Sequence, residues 1–227
     1  MEPRINERVL FVSLNMGCSA NCDSCPTRNM LGCSKITIEH AIDWDKFKQA
    51  LSESKAEIVC LIGGENPFLH CDGHRNIFYY LSSRVKDAEK ELWALSNYQV
   101  TKETTMITYF KRLLIYVPAD KVDKNLVNTT YYRSFTNTQT IIETDKFTEE
   151  WANKVKLCQF VNPVIYLKDP GDIEHKEKFT KKYGEFTFID KIFGPEDEVY
   201  SLTDNKLYSS GSWYKEGVKS WKQLSEV

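Results

Sequence analysis

The residues with the clearest chemistry are Cys18, Cys22 and Cys25, three of the chain's seven cysteines, set in G-C-S-A-N-C-D-S-C-P-T over residues 17–27. The spacing C-x-x-x-C-x-x-C puts three soft ligands on one short loop, and thiolates suit zinc or an iron–sulfur cluster. A structural zinc site usually closes with four protein ligands, often from two C-x2-C pairs. This chain has one tight triad and no second C-x2-C, with Cys33 as the candidate fourth ligand of a small zinc knuckle. Without Cys33 the site has three thiolates and one open position. Both readings stand on the residues alone.

The rest of the composition narrows the setting. The 227 residues are 41% hydrophobic and 27% charged, with a formal net charge of −2. That is ordinary for one globular domain with an extension, and long enough to bury a core. A balanced charge leaves no overall footprint for nucleic acid or an anionic membrane. No apolar run is long enough to span a bilayer, and the opening M-E-P-R-I-N-E-R lacks the apolar stretch of a signal peptide. The expected location is cytoplasmic. There, clustered cysteines are metal-binding or catalytic more often than disulfide-bonded.

The triad must be held by regular elements, and the chain alternates short apolar runs with amphipathic stretches. Strands are expected at 8–14, 57–62, 91–96, 113–117, 138–144 and 164–168. Helices are expected at 42–51, capped by Asp43, and at 74–85, 101–112, 147–158 and 172–183, with 121–136 ambiguous. Strands alternating with helices predict an α/β fold with a parallel sheet and right-handed crossovers. About six such units fall short of an eight-unit barrel. The expected architecture is therefore a partial (βα)6 barrel over residues 1–185. An irregular C-terminal extension over 186–227, with an Asn205-Lys206 turn signal and a possible hairpin, should cover an open edge or the mouth. Ligands of such sheets sit at the carboxyl ends of the strands. The cysteine loop and G-G-E-N-P (63–67) both follow expected strands.

With those elements in place, Cys18, Cys22 and Cys25 resemble the signature of the radical S-adenosylmethionine (radical SAM) superfamily. Gly63-Gly64-Glu65 is similar to that family's G-G-E motif, and Gly17-Cys18 is frequent in its small members. The resemblance implies a [4Fe-4S] cluster held by the three cysteines, with the fourth iron left for the amine and carboxylate of S-adenosyl-L-methionine. It implies that Gly63, Gly64 and Glu65 hold the methionine amino group, and that Ser24, Ser96 and Asn97 lie against the cofactor. Glycines allow close backbone approach, and a glutamate offers charge-assisted bonds to an ammonium. Two departures stand out: the family usually has an aromatic residue where this chain has Ser24, and Asn66 separates Glu65 from Pro67.

The implied activity is reductive cleavage of S-adenosylmethionine to a 5′-deoxyadenosyl radical, which takes a hydrogen atom from a substrate. The enzyme would be of oxidoreductase, activase or lyase type. The small size suggests a nucleotide-related molecule, a nucleic-acid base or a glycyl-radical enzyme such as anaerobic ribonucleotide reductase as substrate. A flavodoxin or ferredoxin would be the electron donor. The alternative from another class is a non-enzymatic zinc- or cluster-binding module.

Other residues invite weaker readings. His70, Cys71 and His74 are close in sequence but suit a solvated loop. Cys60 and Cys158 fall on apolar faces and read as core thiols. Thr27 follows the triad, and Asp120, Glu143 and Lys168 lie at or beyond strand ends, where they would face a substrate or simply solvent. Trp213, Tyr214 and Trp221 would close a pocket or pack the tail.

Overall fold

The computed structural model of the chain describes residues 8–13, 42–62, 71–98, 107–123, 137–144, 148–158, 160–167, 187–189, 197–202 and 205–209. Nine strands lie within them: β1 (Val9–Ser13), β2 (Ile58–Ile62), β3 (Glu91–Asn97), β4 (Arg112–Val117), β5 (Asn137–Thr144), β6 (Pro163–Leu167), β7 (Thr187–Ile189), β8 (Glu198–Ser201) and β9 (Lys206–Ser209). The described α-helices are α1 (Trp44–Glu53), α2 (Cys71–Asp87) and α3 (Glu149–Leu157).

All nine strands form one sheet in the order β7-β6-β5-β4-β3-β2-β1-β8-β9. Every neighbouring pair is parallel except β8 and β9. The composition of β2, I-V-C-L-I, explains its central place. All five residues are buried, as a parallel strand covered on both faces requires. From β1 to β7 each strand is added on the same side of the last. Right-handed crossovers then send every connecting helix to one face.

The packing follows that rule. One apolar cluster joins Phe47 and Leu51 of α1, Phe78 and Leu81 of α2 and Val155 of α3 to Val59, Ala94 and Ile115 of the strands. The buried residues of the second cluster come from strands alone, among them Phe11, Cys60, Trp93, Tyr116, Ile141 and Val164. The sheet therefore has a helix-covered face and a face that no described helix covers.

Local chemistry sets the helix ends. In α1, Asp43 caps the first turn by accepting from the Lys46 N–H at 3.1 Å, and Phe47, Ala50 and Leu51 form its buried stripe. Hydrogen bonds to a backbone N–H and to the Lys46 side chain hold the Asp43 carboxyl below its ordinary range. In α3, Thr148 does the same for the Trp151 N–H at 3.1 Å. Helix α2 ends in a Schellman turn. Lys90 N–H donates to Val85 O (3.1 Å), Glu89 N–H donates to Lys86 O (2.9 Å), and Glu89 takes the left-handed position at φ 56°.

Two helix expectations change. Helix α2 starts at Cys71, so Cys71 and His74 belong to its first turn rather than to a loop. The helix expected over 101–112 is absent from the described part of that range. Ile107–Tyr109 is a 3-10 turn closed by Phe110 N–H to Ile107 O (3.1 Å), and Arg112 already belongs to β4. The threonines of T-K-E-T-T-M-I-T are poor helix formers, and pairing of Arg112 with both Trp93 and Asn137 commits it to the sheet. Residues 101–106, 124–136 and 172–183 lie outside the described residues.

Residues after 186 contribute to both sides of the sheet. Strand β7 pairs with β6, whereas β8 returns to pair with β1 and turns into β9 through Asn205 at φ 55°. The hairpin is tied down by side chains. Val9 N–H donates to Asp197 Oδ1 (2.9 Å), Ser54 Oγ donates to Glu198 Oε2, and Asp43 N–H donates to Asn205 Oδ1 (3.1 Å). The Tyr200 ring lies 5.3 Å from that of Phe47.

Candidate functional site

The carboxyl ends of the parallel strands are the place to look for a site. Strands β1 and β2 are neighbours, and their last residues, Ser13 and Ile62, are register partners. Cys18, Cys22 and Cys25 follow β1 in the chain, and Gly63, Gly64 and Glu65 follow β2 directly. Both motif segments thus leave adjacent strands at one end of the sheet. Those six residues and Ser24 lie outside the described residues, as do Thr27, Cys33, His70, Lys168, Trp213, Tyr214 and Trp221. Among the described residues no group of three or more His, Cys, Asp or Glu could hold a metal ion.

Strand β3 brings Ser96 and Asn97 to the same end, and the pleat separates them. Ser96 is paired with Ile115 and Asn97 with Tyr116. Ile115 belongs to the helix-covered cluster and Tyr116 to the opposite one. Ser96 is buried, and its Oγ donates to Asn97 O at 3.2 Å. Asn97 is half-buried and shares the face opposite the described helices with Trp93 and Leu95.

Beyond Asn97 the same face carries a polar pair. Tyr116 pairs with Ile141, and Glu143 stands two residues further along β5 on the same side, beside Tyr166 of β6. The Tyr116 hydroxyl donates to Glu143 Oε2, and the glutamate is fully buried. Burying a carboxyl on an apolar face is costly unless hydrogen bonds repay the lost water, and the phenol supplies one of them. Glu143 is visible in the sequence as a strand-end acid; Tyr116 was not singled out. The period-2 pattern of R-L-L-I-Y-V was the available signal, since it puts Tyr116 on the face opposite Ile115. Asp120 instead sits in a 3-10 turn, paired with Lys121 at 2.8 Å.

The amino end of the sheet is built for cohesion. Arg112 lies 4.5 Å over the Trp93 ring, Trp93 Nε1 donates to Glu91 Oε2 (3.1 Å), and Lys111 pairs with Glu91. Lys90 Nζ donates to the carbonyls of Ser54 (3.1 Å) and Ala56. A cleft of about 520 Å³ opens here, lined by Lys48, Ser54, Arg84, Asp87 and Lys90 among others. It lies at the end of the strands opposite to the motif segments. Cys60 and Cys158 are both buried. Burial pushes both thiols above their ordinary range, and the charge of Asp197 adds to the effect at Cys60.

No protein-family model and no curated protein matches the chain. Among the described residues no helix is long and apolar enough to cross a membrane.

Proposed function

We propose that the chain is a cytoplasmic radical SAM enzyme on a partial (βα)6-type barrel, with its site at the carboxyl ends of the strands. The observation that carries this reading is the register pairing of Ser13 with Ile62, which sends the cysteine segment and the G-G-E segment off neighbouring parallel strands. The barrel form is supported by the one-directional order of β1 to β7 and by the packing of the described helices on one face.

In this reading Cys18, Cys22 and Cys25 hold the [4Fe-4S] cluster, and Glu65 accepts from the ammonium of S-adenosylmethionine while Gly63 and Gly64 admit it. When bound, the cluster supplies the single electron that cleaves S-adenosylmethionine, so that a hydrogen atom is taken from the substrate. Asn97 lies at the cofactor's edge. Ser96, bonded on the helix side, holds the end of β3. The bare apolar face encloses the reaction and excludes water. The substrate class is a nucleotide-related molecule, a nucleic-acid base or a glycyl-radical enzyme, with a flavodoxin or ferredoxin as electron donor.

Anaerobic purification tests the reading. About four iron and four sulfide per chain, with visible absorbance bleached by dithionite, is the expected result. Stoichiometric zinc in a colourless protein would replace it with the zinc-module reading. Cys22→Ala should abolish both the cluster and reductive cleavage of S-adenosylmethionine.

A further inference from the structure

The cleft at the amino end of the sheet has walls from two helices. Lys48 and Ser52 come from one face of α1, Arg84 and Asp87 from one face of α2, and Lys90 from the turn beyond α2. Its volume, about 520 Å³, lies in the range of small-molecule sites. Neither the Lys48 ammonium nor the Arg84 guanidinium pairs with a described residue, and Arg84 is half-buried. Lys90 Nζ donates to the carbonyls of Ser54 and Ala56, which leaves it one N–H. Bare carbonyls at a helix C-terminus would repel an anion. Here Ser54 N–H covers Ala50 O (2.9 Å), Lys90 N–H covers Val85 O (3.1 Å), and the Lys90 ammonium covers two more.

We propose that this cleft binds a phosphate monoester, its phosphoryl group held by the Arg84 fork together with Lys48 and Lys90. The inference stands apart from the reading of the cysteine and G-G-E segments, which leave the other end of the strands. Three features select this chemistry. A guanidinium offers parallel donors that match two oxygens of a phosphoryl group. Donors on Lys48 and Lys90 come from other elements, which suits a tetrahedral oxyanion better than a flat carboxylate. The cleft exceeds one phosphoryl group in size, so there is room for the organic part of an ester. Asp87 and Glu89 also line the cleft, so three basic and two acidic side chains leave a net lining charge of +1. That balance favours one phosphoryl group over a polyphosphate.

The test is calorimetric titration of the full chain with ethyl phosphate, at constant ionic strength in phosphate-free buffer. Acetate and pyrophosphate serve as comparators. Ethyl phosphate is expected to saturate and to bind at least tenfold more tightly than acetate. Arg84→Gln should weaken it at least tenfold, and Arg84→Lys about threefold, because the charge stays while the fork is lost. Asp87→Asn should strengthen it about threefold, an effect that a merely structural role would not produce. Lys86→Gln, on the same helix but outside the cleft lining, should change nothing. No saturation by about 10 mM overturns the proposal. So does a loss with Lys86→Gln equal to that with Arg84→Gln, which would mark a diffuse surface charge. Pyrophosphate binding tenfold more tightly than ethyl phosphate overturns the single phosphoryl group. Melting temperature without ligand confirms that each variant is folded; if Arg84→Gln is not, Arg84→Lys and Asp87→Asn decide.

Discussion

The two faces of the sheet use the same strands to different ends. On one face Leu10, Val59, Ala94 and Ile115 meet Phe47, Phe78 and Val155 of the helices in one apolar cluster. On the other, the apolar residues of the strands give way toward the carboxyl ends to Asn97 and the Tyr116–Glu143 pair. A strand that must serve both faces can change its chemistry within one residue, because successive side chains point to opposite sides. Ser96 and Asn97 are the sharpest instance: adjacent in sequence, they belong to different faces. The lesson is that the described helices pack on one side of the sheet, while the Tyr116–Glu143 hydrogen bond lies on the other, toward the carboxyl ends of the strands.

Site-resolved thiol labelling should give the largest effect. Cys60, buried on the face opposite the described helices, should alkylate at least 10³-fold more slowly in the native chain than in denaturant. Its raised pKa also keeps it in the unreactive thiol form at neutral pH. Cys158, at the frayable C-cap of α3, should label sooner. Fast native labelling of Cys60 would break the comparison, since the face opposite the described helices would then be open to solvent.

On the helix-covered side, Phe47→Ala should cost about 3–5 kcal/mol in urea unfolding, because the ring is fully buried against Trp44 and Tyr200. A cost under about 1 kcal/mol would show that α1 does not anchor that face. The neighbouring pair on β3 sharpens the contrast further. Ser96→Ala should act on stability, by about 1 kcal/mol, through the lost buried hydroxyl. Asn97→Ala should instead weaken S-adenosylmethionine binding, several-fold by equilibrium titration, with little change in unfolding midpoint. The reverse assignment would exchange the roles of the two faces.

The smallest effect concerns the cap of α1. The Asp43 carboxyl is held below its ordinary range, so its contribution is complete above the normal carboxylate pKa and is lost as pH falls through the lowered one. Asp43→Asn keeps an N-cap oxygen but should flatten this acid limb of the stability curve, read as melting temperature between neutral pH and about pH 3. An unchanged acid limb would assign it to other carboxylates.

Much of the scaffold was legible in the sequence, and particular residues show why. The run E-I-V-C-L-I has the uniform apolarity of a strand buried on both faces, and it became β2 within a residue of its expected bounds. Asp43 and Thr148 announce helix starts because capping is local, spanning only three residues. Within the expected helix 101–112, the described residues 107–112 take another form, because the pairing of Arg112 with two strands is a long-range contact that no local pattern contains. The early start of α2 at Cys71 shows the same weakness at element ends.

By itself the sequence determined the alternation of strands and helices, the caps, the cysteine spacing and the G-G-E that follows β2. These depend on residues a few positions apart. Only the tertiary structure decided that β8 returns to pair with β1, that Ser96 and Asn97 part company, and that Tyr116 reaches Glu143 on the neighbouring strand. Those outcomes depend on which backbones pair and in what register. Register is settled by burial of whole faces together, a property of the assembled sheet and not of any one segment.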